Sequence, residues 1–319
     1  KEVGVVGIFK YEPNSNIWVK MGGDIQGEGM FDHFGAAVSL SGNGFVVAVG
    51  APQASEYEKG SVNVYRYDNT VADWKHLGGV EGARFGDHFG TSVSLSMDGA
   101  AFIAGAPDHD VLAHNNFIKK AGHARAFKYE DDKWLMLGQS IFGTTEGEGL
   151  GASVSMSNDR SRVAVGSPRF SEDGKNSGSA SVYFFDGDKW DLPNDPSNDH
   201  VSSALFHGEN ALDEFGRVVA LSGEGNTLVV GALGGGIAGY TNVYEHLATK
   251  APTMSPTTMI SEKQTGDSWF LLVIIILAIL VCGVIAMYRI YHIALRNKNI
   301  QHHEPVDEKL EMNNEAEML

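Results

Sequence analysis

The chain has 319 residues, 39 of them glycine, and a formal charge of -16. Its length allows one large domain or two smaller ones without covalent staples, and its scattered Lys and Arg form no basic stripe, which excludes a nucleic-acid partner. The lone cysteine, Cys282, excludes an intramolecular disulfide.

Val, Ser, Tyr and Phe stretches broken by turn residues predict an all-β fold for the N-terminal three quarters. The first stretch, "GVVGIFKY" from Gly4, begins a pattern that returns as "GSVNVYRY" from Gly60, "GHARAFKY" from Gly122, "GSASVYFF" from Gly178 and "GYTNVYEH" from Gly239. A following strand carries Trp18, Trp74, Trp134 or Trp190. The tryptophans are expected to bury large area on these outer strands.

Between those copies runs a second motif. Phe34-Gly35, Phe89-Gly90, Leu150-Gly151 and Phe215-Gly216 recur at spacings of 55, 61 and 65 residues. Each leads into a short strand ("AVSLS", "SVSLS", "SVSMS", "VVALS"), a small polar turn, and an apolar strand closing on Gly50, Gly105, Gly166 or Gly231. Four short strands per repeat of about sixty residues predict propeller blades rather than a sandwich, which has no reason to reproduce one strand order.

The succession FG, SVSLS, VAVGAP, GxVxVY and WxxLG over residues 1–246 resembles the FG-GAP repeat of integrin α-subunit heads and related membrane-anchored propellers. The resemblance implies a β-propeller of four-stranded blades. Two leading strands, three full blades and three closing strands are too few for a seven-bladed ring, so an incomplete propeller, the C-terminal part of a larger ring, is expected. Calcium loops of such blades follow DxDxDG, because Ca²⁺ needs several anionic oxygens. Here the turns are "SGNG", "SMDG", "SNDR" and "SGEG", with at most one carboxylate each, Asp98, Asp159 or Glu224, and no calcium is expected at them.

Asp108, His109, Asp110 and His114 share one long loop between second and third strands. Carboxylate with imidazole can hold a transition metal, but the spacing matches no site template, and a solvated insert is expected. In the family the loops joining strands two to three and four to one lie on one face, where ligands bind, which makes these four residues the candidate contact loop. Asp32-His33 and Asp87-His88 precede the FG pairs and read as turn residues. "VVGALGGGIAG" from Val229 has no following helix and so no dinucleotide role. No catalytic residue, cofactor or metal ion is expected.

Residues 247–268 are Ser/Thr- and Pro-rich, as an extended stalk would be. Residues 269–288 run from Trp269 to Tyr288 without a charge, long enough for a helix to span a bilayer, with aromatic rings at both ends. Arg289, Arg296 and Lys298 follow it, against Lys263 before it, which places the C-terminus in the cytoplasm. Ala278, Cys282 and Ala286 form a small-residue face on which a helix-mediated oligomer could pack. Residues 289–319 read as a disordered cytoplasmic tail. The sequence opens on Lys1 without a charged-then-apolar leader, so a leader has been removed or the chain is a fragment.

These readings describe a single-pass protein of the plasma membrane, not an enzyme, whose extracellular propeller recognises a protein or glycan. The alternatives are a membrane-anchored hydrolase on a propeller scaffold and a structural coat protein, since fold alone does not fix function.

Overall fold

In the computed structural model, residues 3–113, 115–171, 176–192, 204–234 and 238–245 are described. They are all-β, with one short 3-10 turn at Glu56–Glu58. The first unit pairs Ala37–Leu40, Val46–Ala51, Ser61–Asp68 and Asp73–Glu81 in chain order, each neighbour antiparallel. The second repeats this with Ser92–Leu95, Ala101–Ala106, His123–Glu130 and Lys133–Met136, and Ile141–Phe142 adds to its third strand. The third uses Ser153–Met156, Arg162–Ser167, Ser179–Phe185 and a short Trp190–Asp191, with Leu205–His207 on the third strand. Val218–Leu221, Thr227–Ala232 and Tyr240–Glu245 form the fourth. Ahead of all four, Val5–Val6 pairs with Ile25–Gln26, and Phe9–Glu12 with Ile17–Lys20.

The second strands explain their own composition. "VVAVGA", "AFIAGA" and "RVAVGS" are buried at every position, so both faces of each sheet are covered and the apolar run is continuous rather than alternating. Val46 and Ala48 pack with Phe102 and Ala104 of the next unit, whereas Val47 and Val49 pack back against Ile8 and Ile25. The same exchange joins Ala101 and Ile103 to Val163 and Val165, and Ala164 to Leu228 and Val230. The cores therefore lie between successive sheets. The FG aromatic plugs this layer: Phe89 sits among Val46, Val62 and Val64 of the preceding unit, and Phe215 among Ala180 and Val182. Burial of each such ring contributes about 1.5–3 kcal/mol.

The glycine after it has an equally specific reason. Gly151 has φ +92°, and a Cβ there would strike the carbonyl oxygen of His123. Gly105 in turn faces the Gly151 carbonyl so closely that any side chain would overlap it. Only glycine permits that approach of two backbones.

First strands meet across units through serine. Leu95 N–H donates to Ser39 Oγ (2.9 Å), Met156 N–H to Ser94 Oγ (3.0 Å) and Leu221 N–H to Ser155 Oγ (2.9 Å). These are the central serines of "AVSLS", "SVSLS" and "SVSMS"; the fourth unit has Ala220 there. The turns follow suit, with Gly42 N–H on Met97 O (2.8 Å) and Asn158 N–H on Gly223 O (2.8 Å). Within those turns Asp98 and Asp159 accept from Ser96 Oγ and Ser157 Oγ at 2.6 and 2.7 Å, and from the N–H groups of Ala100 and Ser161. Burial alone would raise both carboxyls, but these hydrogen bonds outweigh it and hold them below the usual range.

The tryptophans depart from expectation in part. Trp190 is 2% exposed, and its Nε1–H donates to Leu137 O of the preceding unit at 2.7 Å; Trp74 Nε1–H donates likewise to Met21 O at 2.6 Å. Trp18 is 68% exposed. Each buried ring lies against the strand of the unit before it, and among the described residues no unit precedes the hairpin that carries Trp18.

No helix among the described residues is long and apolar enough to cross a membrane. The expected stalk, the expected membrane helix from Trp269 to Tyr288 with Ala278, Cys282 and Ala286, and the tail from Arg289 all lie outside the described residues.

Replacing Ser94 by Ala leaves the half-buried Met156 N–H without its acceptor, and a loss of about 1–2 kcal/mol is expected in denaturant unfolding. An unchanged midpoint would show that the serine contact does not hold the sheets together.

Candidate functional site

One column of the repeat is acidic throughout: Asp32, Asp87, Glu148 and Asp213, each two residues before the FG-type aromatic or Leu. In three units the carboxylate closes its own loop. Arg84 N–H donates to Asp87 Oδ2 (2.8 Å), Thr144 N–H to Glu148 Oε2 (2.8 Å) and Asn210 N–H to Asp213 Oδ2 (2.9 Å). His33 and His88 take φ of 55° and 54°, as turn residues do. The first role of this column is structural.

What else the carboxylate meets differs between units. Glu148 Oε1 accepts from Ser167 Oγ at 3.1 Å, and Asp213 Oδ2 from Tyr240 OH at 2.8 Å. In the second unit Asp87 Oδ1 lies 2.8 Å from His109 Nδ1. The His109 ring stands 4.3 Å from that of His123, nearly perpendicular, with Phe142 stacked beyond it at 6.0 Å. Asp87, His109 and His123 are 1%, 4% and 0% exposed. Both ring nitrogens of His123 lack a hydrogen-bond partner. Burial pushes the His123 pKa well below its ordinary value, and the charges of Arg125 and His109 push it the same way, so the ring is held neutral.

Position explains how these side chains converge. His109 is two residues past Pro107, where the second strand ends; His123 follows Gly122, where the third begins; Asp87 closes the loop before the first. In the first unit the same places hold Ala54 and Ser61, and they line, with Asp32, Glu28 and Tyr65, a cavity of about 540 Å³. In the third they hold Phe170 and Ser179. The imidazole pair is thus particular to the second unit among the described residues.

The predicted contact loop divides. His109 turns inward, contrary to the expected solvated insert, because its ring fills the space between the end of the second strand and Phe142. Asp108 joins a network spanning three units: His88 Nδ1 at 2.8 Å, Lys120 at 3.5 Å and Arg169 at 3.7 Å, with Glu58 on the other nitrogen of His88 at 3.2 Å. Burial would raise the Asp108 carboxyl, but the His88 hydrogen bond and the charges of Lys120, His88 and Arg169 outweigh it and keep it low. Asp110 accepts from Lys120 N–H (2.8 Å) and so pins the base of a hairpin, Val111–Ala113 with Asn116–Ile118. His114 lies outside the described residues.

Outside this cluster the same end of the sheets carries exposed rings. Tyr57 and Phe85 are 61% and 65% exposed with centroids 4.4 Å apart. Phe117, on the hairpin, is 54% exposed, and the Arg84 guanidinium lies over it at 5.1 Å, while Lys59 approaches Phe85 at 5.5 Å. Lys59, Arg84, Phe85, Asp87, Asp110 and Phe117 line one cleft of about 530 Å³.

The sequence pattern marks Asp108, His109, Asp110 and His114 as one loop and Asp87 as a turn residue, and leaves His123 unmarked. The signal for His123 was available: its column reads Ser61, His123, Ser179, Tyr240. A scan against protein-family models and a search of curated proteins found nothing that matches this chain.

Asp87→Ala removes both the acceptor of Arg84 N–H and the partner of His109. A loss of about 2–4 kcal/mol in unfolding free energy is expected, larger than for Asp32→Ala, whose neighbours Ala54 and Ser61 present no imidazole.

Proposed function

We propose that the repeating units are blades of an FG-GAP-type β-propeller, and that the end carrying the loops before first strands and after second strands recognises a macromolecular ligand outside the cell. Two features support the propeller: like strands meet like strands from unit to unit, and the second strands of the first three units are covered on both faces. Neither a two-layer sandwich nor a set of isolated sheets would produce both.

The observation that carries the recognition reading is the exposed group of Tyr57, Phe85 and Phe117 with Arg84 and Lys59. Aromatic rings and arginine are the residue types that dominate binding energy at protein interfaces, and clustered exposed apolar surface marks interaction sites. The rings are held in place. Tyr57 O accepts from Gly86 N–H at 2.8 Å, which ties the loop of one unit to that of the next. Met30 and Phe31, 53% and 68% exposed, extend the same loop column in the first unit. A protein ligand suits this surface better than a glycan, and a single-pass membrane anchor at Trp269–Tyr288 would present it at the cell surface.

The test is a Tyr57→Ser, Phe85→Ser, Phe117→Ser triple variant of the full chain, in lipid nanodiscs, screened beside the parent on panels of extracellular proteins and glycans. Because all three rings are more than half exposed, the fold is expected to survive and binding to weaken by about tenfold or more. Equal binding by parent and variant would refute this surface as the recognition site.

A further inference from the structure

The geometry points to a divalent transition-metal site of the zinc class in the second unit, with Asp87, His109 and His123 as its ligands. One ligand atom from each of the three lies within 4.8 Å of the others. Two imidazoles with one carboxylate is a donor set that binds first-row divalent ions and leaves a coordination position open. Nothing in the recognition reading requires it, and it stands whether or not that reading holds.

Three observations favour a metal over the alternative of core histidines filling space. The first is His123 itself. A fully buried imidazole with neither nitrogen satisfied is costly, because each desolvated polar atom forfeits its water without return. A cation would engage one of those nitrogens. The second is the comparison among copies. The scaffold accepts Ala54 and Ser61, or Phe170 and Ser179, at the same two places. The backbone of the repeat therefore does not require imidazole at either place.

The third is access and charge. Asp87 also lines the cleft of Lys59, Arg84, Phe85, Asp110 and Phe117, which gives an ion an entry path and a water a place at the open position. Asp87 offers one negative charge, and its Oδ2 is already oriented by Arg84 N–H. Such outer hydrogen bonds fix a ligating carboxylate in position.

The geometry needs modest adjustment. Ligand atoms about 2.0–2.1 Å from a tetrahedral ion are about 3.3 Å apart. The Asp87–His109 pair at 2.8 Å must open by about half an ångström, and the widest pair, within 4.8 Å, must close by up to about 1.5 Å. That closure falls to His123, whose ring is held by packing against Phe89, Phe142 and His109 and by no hydrogen bond. A bound ion would tie together the end of the second strand, the start of the third and the loop before the first. Those three points form the base from which the Val111–Ile118 hairpin projects.

The experiment is metal binding by the full chain. After chelator treatment and removal of the chelator, Zn²⁺ alone is added and the protein-bound metal counted, with Co²⁺ as a second probe whose visible absorption reports nitrogen–oxygen ligation. One equivalent of Zn²⁺ is expected, with a thermal midpoint raised by about 5–10 °C at a hundredfold excess over the dissociation constant, and a Co²⁺ spectrum that Zn²⁺ abolishes. Two variants separate ligation from packing. His123→Phe keeps a ring among Phe89 and Phe142, and the double change His109→Ala, His123→Ser rebuilds the arrangement of the first unit; both are expected to fold and to lose metal and midpoint shift alike. Should either fail to fold, the stoichiometry and Co²⁺ spectrum of the parent still decide. The proposal is overturned if the parent binds no stoichiometric Zn²⁺, if the variants keep it, or if a metal-soaked crystal shows only water between the imidazoles.

Discussion

The structure depends on one repeated constraint: each sheet must meet the next along its first strand at hydrogen-bonding distance. The serine hydroxyls of Ser39, Ser94 and Ser155 satisfy it by accepting an N–H from the following unit. Once the first strands are fixed, the second strands of the first three units are enclosed on both faces, and the glycine at the end of each must lie against the glycine after the FG aromatic of the next. The apolar run of "AFIAGA", the paired glycines and the buried Phe89 and Phe215 are consequences of that one approach. Sheets held farther apart would leave the Val and Ala of the second strands exposed.

The same constraint brings the chemistry together. Because loops before first strands and after second strands share one end of each sheet, a repeat column becomes a row of equivalent positions. In the column of Asp32, Asp87, Glu148 and Asp213 the last three are scaffold, as their loop-closing hydrogen bonds show. What varies behind it, from Ala54 and Ser61 through His109 and His123 to Phe170 and Ser179, is where individual units can diverge without disturbing the fold. A repeat thereby supplies its own comparison: the scaffold accepts other residue types at the places of His109 and His123.

Much of the fold was legible because its signals are local and repeated. The strand order and the three-stranded last unit follow from motif spacing, and the role of the glycines follows from turn chemistry. The candidate site was half legible. Asp108, His109 and Asp110 sit together in sequence and attracted notice as a loop, but whether His109 points to water or inward depends on Phe142 and His123, which lie 33 and 14 residues further along the chain. Trp18 misled for a related reason: its burial depends on a neighbouring unit, and local pattern cannot say whether one is there. The column comparison that isolates His123 needs the strands aligned unit by unit, which the pairing registers make unambiguous.

Amide hydrogen exchange at Leu95, Met156 and Leu221 tests the unit-to-unit contact most directly. Their N–H groups point away from the second strands of their own sheets, toward serines of the preceding unit, so they are expected to exchange as slowly as the in-sheet amides of Phe102 and Val163. Exchange at the rate of exposed loop amides would mean that the sheets do not meet through their first strands, and the architecture described here would fall with that contact.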